Sequence, residues 1–215
     1  MPENINIPLY LFAKAPEPGK VKTRMSPHLS HHDSAWLASM MLQQSLEKIC
    51  ASWPGITVLT VANDAEHIVF ENLKKEYNIR ITSQVGDNLG SRLAHALKEG
   101  IDQTGFAVVM GCDVPHFDSR ILPAVYRQLI RGENVVGPAI DGGFYLLGLT
   151  DIPPELFRQI QWGGEKVLGQ MMLNAEQSGL SVSRCETLRD IDTWEDLVWL
   201  SQIEPQYQIF VRRPA

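Results

Sequence analysis

Apolar and polar positions along the chain alternate between a strand-like and a helix-like period. Residues 9–13 (Leu-Tyr-Leu-Phe-Ala) form an unbroken apolar run, as in a strand covered on both faces. Residues 30–50 then carry Ala35, Ala38, Leu42, Leu46 and Ile49 at helical spacing, behind Ser30 and Asp33 as capping candidates. After Pro54-Gly55 the β-branched run 56–62 returns to strand. The exchange repeats with a helix over about 65–76, a strand at 79–82, and a helix carrying Leu89, Leu93 and Leu97 on one face. A fully apolar strand at 106–110 precedes a helix striped by Ile121, Leu122, Val125 and Leu129. Two apolar runs, 135–140 and 144–149, flank Asp141-Gly142-Gly143 as a hairpin would. Beyond Pro153-Pro154 and the apolar group Leu156, Phe157 and Trp162, the pattern predicts a helix over 165–178 and a strand near 180–184. The last helix is opened by Thr193 and Asp196 in capping-box spacing. Strands alternating with helices predict right-handed crossovers and a mostly parallel sheet covered on both faces. Residues 1–203 read as one domain, and 204–215 as a surface tail or an arm for the partner subunit of a homodimer.

Composition narrows the function classes. With 44% hydrophobic and 20% charged residues, the 215-residue chain has the makeup of a globular protein with a substantial core. Its formal net charge of −6 argues against nucleic acid as the main partner, because a phosphodiester backbone needs a broad basic face. Small phosphorylated ligands remain open. There is no secretory pattern at the N-terminus and no uninterrupted apolar run of membrane-spanning length. Cys50, Cys112 and Cys185 stand far apart, so free thiols in a reducing cytoplasm are the simplest reading. His28, His31 and His32 lack a fourth ligand and read as exposed polar residues.

Charge is unevenly placed. Lys14, Lys20, Lys22 and Arg24 follow the first strand within a loop punctuated by Pro16, Pro18 and Gly19, opposed only by Glu17. Ammonium and guanidinium groups concentrated at one strand end suit a polyanion such as a nucleotide phosphate; the alternative is a solvated loop. Residues 83–92 lead into a helix whose free amides, with Gly86 and Gly90 permitting close approach and Arg92 in reach, could receive an anion or a base edge, or Asp87 or Asn88 could simply cap it. Asp113 lies just past the apolar strand ending in Gly111-Cys112-Asp113, where open α/β sheets bind ligands. It is a candidate metal ligand or ribose contact, or an Asx-turn residue. Asp141 is either a plain turn residue or a carboxylate presented to a sugar hydroxyl as acceptor or general base.

Taken together, Phe12-Ala13-Lys14-Ala15-Pro16 with Gly19, Lys22, Thr23, Arg24 and Pro27, then Gly90-x-Arg92, Gly111-x-Asp113-x-Pro115, Gly137-Pro138-Ala139-x-Asp141-Gly142-Gly143-x-Tyr145 and Asp190-x-Asp192-Thr193-x-Glu195-Asp196-Leu197, resemble a bacterial family of GT-A-type glycosyltransferases. That family is similar to the cofactor guanylyltransferases and, more distantly, to the sugar nucleotidylyltransferases. The resemblance spans residues 9–197. It implies a three-layer nucleotide-diphospho-sugar transferase fold with a mixed, mainly parallel sheet that binds a nucleotide across the strand ends. Lys14, Lys22 and Arg24, with Gly19, Thr23, Gly90 and Arg92, would then hold the phosphates. Asp113 and Asp192 would hold Mg²⁺ or Mn²⁺, with Asp113 and Asp141 as the catalytic carboxylates. The implied activity is metal-dependent transfer of a sugar from a nucleotide sugar to a small acceptor. Two alternatives stand beside it: a nucleotidylyltransferase joining an NTP to a phosphorylated acceptor, and a non-catalytic nucleotide-binding domain. Cys112 departs from the family's more usual Ser, and Gly163-Gly164 from its Ser-Thr, so the resemblance names no acceptor.

Overall fold

The structure, a computed structural model, describes residues 5–212. In chain order it places β1 (Pro8–Ala13), α1 (His31–Ser52), β2 (Ile56–Val61), α2 (Ile68–Glu76), β3 (Arg80–Ser83), α3 (Leu89–Thr104) and β4 (Ala107–Gly111). There follow α4 (Ile121–Ile130), β5 (Asn134–Pro138), β6 (Phe144–Leu149), α5 (Val167–Gln177), β7 (Val182–Arg184), α6 (Trp194–Ile203) and α7 (Gln208–Val211). The seven strands form one sheet in the order β3-β2-β1-β4-β6-β5-β7. Only β6 runs against its neighbours, pairing antiparallel with both β4 and β5. The expected mixed, mainly parallel three-layer architecture is present.

Its two faces follow from strand alternation. Leu9 and Leu11 of β1 point to the side covered by α1, α2 and α4, where Leu46, Phe70 and Leu129 are fully buried. Tyr10 points the other way, under α3 and α5, with Leu97 and Met171. Among fully buried aliphatic side chains each removal from water contributes roughly 1.5–3 kcal/mol, so a one-residue slip of β1 would expose a large part of the core. Ser30 caps α1 through the Asp33 amide, and Asn88 and Thr193 close capping boxes on α3 and α6. The order of the strands puts the carboxyl ends of β1 and β4 side by side, with Leu9 opposite Val108 and Phe12 opposite Gly111.

The segment beyond residue 203 is not a free surface tail. Tyr207 is 0% and Phe210 2% exposed, in a third cluster with Met25, Leu37 and Met41 of the first loop and α1, and with Leu197 of α6. The Tyr207 hydroxyl donates to Gln44 Oε1 at 2.6 Å. An aromatic pair spaced three apart, in a short helical turn begun by Pro205, gives this segment an apolar face that the first helix covers. Lys48 of α1 ties the same region to the turn after β4, donating to the Pro115 and Phe117 carbonyls at 2.7 and 3.2 Å and pairing with Glu204 at 3.6 Å. His116 in that turn meets Trp199 edge-on. Its Nδ1 is buried without a partner, and burial, with the Lys48 charge, pushes its imidazole down to about 4. Among the described residues no helix is long and apolar enough to cross a membrane.

Two outcomes follow from this packing. Phe210→Ala should lower unfolding stability by about 3 kcal/mol in urea denaturation, as for a core aromatic, whereas a loose tail would show no change. Because His116 binds its proton more weakly folded than unfolded, it favours the folded state above pH 6.5 and that contribution is lost as pH falls toward 4. Thermal midpoints should therefore drop less between pH 7 and pH 4.5 in His116→Gln than in the wild type.

Candidate active site

An open cleft of about 610 Å³ lies across the carboxyl ends of β1 and β4. Its lining includes Lys14, Lys20, Lys22, Thr23, Arg24 and Arg92 together with Asp113, Asp141, Asp190, Asp192, Phe144 and Trp162. The centre is Lys22. The backbone there takes the left-handed conformation, φ 47° and ψ 37°, before a short helical turn at Thr23–Met25. That geometry is uncommon for a residue with a side chain, and it turns the ammonium inward. Nζ donates to Asp113 Oδ1 at 2.7 Å, to the Ile191 carbonyl at 2.6 Å and to Asp192 Oδ1 at 3.0 Å. All three ammonium hydrogens are thus taken. The side chain is 6% exposed; burial would lower its pKa, but the Asp113 and Asp192 charges and hydrogen bonds outweigh it and hold Lys22 charged, above its ordinary value.

The acidic wall is assembled by backbone pairing. The Ile191 amide donates to the Asp113 carbonyl at 2.9 Å, and Leu188 pairs with Ala139 as a strand would, its amide bonded to the Pro138 carbonyl at 3.0 Å. In this extended segment Ile191 points into the core at 0% exposure while Asp190 and Asp192 point together into the cleft. Burial alone would raise Asp192, yet Lys22, with Arg24 and Lys14, holds it below the usual carboxylate range. Asp190 has no such partner: its Oδ2 is buried and unpaired, and burial, then the charges of Asp141, Asp113 and Asp192, push it up to about 8. Asp141 sits in the turn between β5 and β6, where its Oδ1 accepts the Gly143 amide at 2.8 Å. Gly142, at φ 88°, packs so closely on the Glu165 backbone that a Cβ would run into that carbonyl.

The sequence-derived candidates divide. Lys14, Lys22, Thr23, Arg24, Arg92, Asp113, Asp141 and Asp192 all line the cleft. Lys20 also does, but it is paired with Glu17 at 2.6 Å. Gly19, expected to meet phosphate, lies outside the lining and serves the turn through its φ of 79°. Gly90 is also outside it: the residue is buried beneath Trp162, whose ring a Cβ would approach to 2.8 Å. Arg92 Nε donates to the Gly86 carbonyl at 2.8 Å, fixing the loop before α3. Asp141 serves the turn through its Oδ1, and its side chain also lines the cleft. Asp190 and Trp162, which the sequence offered only as part of a motif and of an apolar group, and Phe144 also line the cleft; the alternation Asp190-Ile191-Asp192 is the signal that points to the first.

A divalent cation fits this donor set in one particular way. Among the described residues no group of three or more His, Cys, Asp or Glu converges as a ready cage. The Asp113 and Asp192 carboxylates do face one point, where the Lys22 ammonium lies. Mg²⁺ and Mn²⁺ need only one or two carboxylates when waters and phosphate oxygens complete the shell, so the site suits an ion held jointly with a phosphorylated ligand.

Comparison with known proteins bears on this site. Residues 45–164 match the family model described as "Uncharacterized protein conserved in bacteria (DUF2064)". The chain belongs to that family. No curated protein matches it in sequence. Among solved structures it is similar to a protein of Desulfovibrio desulfuricans G20, provisionally described as a nucleotide-diphospho-sugar transferase, with 25% identity, TM-score 0.84, and 96% and 94% of the two chains covered. In fold it is also similar to a cytidylyltransferase of Leptospira borgpetersenii serovar Hardjo-bovis, at 14% identity, TM-score 0.58 and 98% of each chain. A third is the manganese complex of Rv0371c from Mycobacterium tuberculosis H37Rv, at 16% identity, TM-score 0.50, covering 91% and 98%. The nucleotide-diphospho-sugar transferase fold expected from the sequence is thereby shown.

Gly142→Ala should cost about 2 kcal/mol or more of stability and reposition the Asp141 turn, because it combines a left-handed φ with a backbone clash. Gly132→Ala, at φ 79° but with open space at its Cβ, isolates the φ cost alone and should be clearly milder by thermal unfolding.

Proposed function

We propose that the protein is a divalent-cation-dependent glycosyltransferase that moves a sugar from a nucleotide sugar to a small hydroxyl-bearing acceptor. The observation that carries this reading is the division of charge in the cleft. Every lysine and arginine of the lining belongs to the first loop or to α3, whereas the β5–β6 turn and Asp190 contribute carboxylates and an aromatic ring, and Trp162 lies over the start of α3. A diphosphate is matched by the loop after β1 and by α3, from which Lys14, Arg24 and Arg92 line the cleft. A phosphorylated acceptor beside the β5–β6 turn would bring its charge against the carboxylates of Asp141 and Asp190. An uncharged sugar or alcohol meets hydrogen-bond acceptors and flat apolar surfaces instead. Nucleotide use is further supported by the similarity to the D. desulfuricans protein.

In this reading Asp113 and Asp192 hold Mg²⁺ or Mn²⁺, which would offset the charge that grows on a departing nucleoside diphosphate. Lys14, Arg24 and Arg92 bind the same phosphates electrostatically. Asp141, with Oδ1 engaged by Gly143, turns its second oxygen to the acceptor hydroxyl, as hydrogen-bond acceptor or general base. Trp162 and Phe144 wall the acceptor side and limit access of water.

Thermal unfolding against nucleoside di- and triphosphates and nucleotide sugars, with and without Mn²⁺, tests this without knowledge of the acceptor. A ligand at one hundred times its dissociation constant adds about 2.7 kcal/mol. A diphosphate or nucleotide sugar with Mn²⁺ should stabilise more than the matching triphosphate, and Asp113→Asn should abolish the metal-dependent part. Preference for a triphosphate, with pyrophosphate as product, would overturn glycosyl transfer in favour of nucleotidyl transfer. No shift with any nucleotide would leave a non-catalytic role.

A further inference from the structure

Lys22 was expected among the phosphate-binding residues, yet its ammonium is spent on the two carboxylates proposed to hold the cation. The contact is built in. The loop adopts a left-handed residue to deliver it, three acceptors saturate it, and the side chain is almost wholly buried. An ammonium and a divalent cation cannot share one point between two carboxylates a few ångströms apart, since their repulsion at such range is large in a partly buried site. We propose that Lys22 is an internal occupant of the cation site: it holds Asp113 and Asp192 together while the cleft is empty, and a divalent cation enters by displacing it. The released ammonium then has one anionic neighbour to turn to, the phosphate that arrives with the ion. Binding is therefore ordered by chemistry. The ion alone must replace three hydrogen bonds of a buried ammonium, whereas the ion with a diphosphate supplies that ammonium with a new partner.

This rests on the proposed phosphate-linked ion, and the experiment separates the two ideas. Mn²⁺ retained by the protein in equilibrium dialysis is measured for wild type, Lys22→Met and Lys22→Gln, each with and without inorganic pyrophosphate as the phosphate probe. Wild type should bind Mn²⁺ weakly alone and much more tightly with pyrophosphate. The variants should bind Mn²⁺ alone about tenfold or more tighter than wild type and lose most of the dependence on pyrophosphate. Circular dichroism identifies a variant that has not folded. Should both fail, the wild type still decides, since tight Mn²⁺ binding without pyrophosphate overturns the proposal. Variants that fold but bind Mn²⁺ no tighter than wild type overturn it too, while pyrophosphate-assisted binding by the wild type leaves the ion reading standing. Absence of Mn²⁺ binding in every condition overturns both.

Discussion

The ion pair of Lys22 with Asp113 and Asp192 is the constraint on which the site depends. It joins three parts of the chain that are distant in sequence: the loop after β1, the end of β4 and the extended run before α6. A buried ammonium is tolerated because three acceptors meet it, and the carboxylates are tolerated in one place because the ammonium lies between them. Removing either partner would leave an uncompensated charge in a partly closed cleft. Asp190 shows what that costs: lacking a cation, it is pushed toward its neutral form.

The fold supplies the framework for that pair. Placing β1 next to β4 brings the basic loop beside Asp113, and inserting the antiparallel β6 between β4 and β5 swings the Asp141 turn over the same strand ends. Leu188 and Ile191 then continue the pairing past β7, so that residues 190 and 192 face inward together. The packed segment 205–211 shares a cluster with Met25 of the basic loop and Ile191 of the acidic wall, and Lys48 braces the turn after β4. Stability and site geometry share the same contacts, which is why a buried aromatic such as Phe210 belongs to the functional account.

Most of the architecture was legible in the sequence because its signals are local. Apolar runs, helical stripes, capping residues and the Asp-Gly-Gly turn each specify their own element, and all seven strands and the six longer helices lie where those signals put them. The order of the strands is not local information and is fixed only by tertiary packing. At the site, residue type and position found the lining charges but not their partners. A lysine in a basic loop is indistinguishable in sequence from its neighbours Lys14 and Lys20, yet one faces the cleft, one pairs with Glu17 and Lys22 is buried between carboxylates. Gly19 and Gly90 illustrate the same limit: the first takes a left-handed φ of 79° in the loop and the second lies against the Trp162 ring, neither of which the sequence shows. The final segment was misjudged because two aromatics among polar residues carry no periodicity until α1 is present to receive them.

The most direct measurement is a crystal structure grown with Mn²⁺ and a nucleoside diphosphate, with manganese located by its anomalous scattering. The account predicts manganese on Asp113 and Asp192, the diphosphate between it and Lys14, Arg24 and Arg92, and Lys22 turned from the carboxylates to a phosphate oxygen. Manganese or nucleotide bound away from these residues, or Lys22 still bridging both carboxylates beside a bound ion, would contradict it.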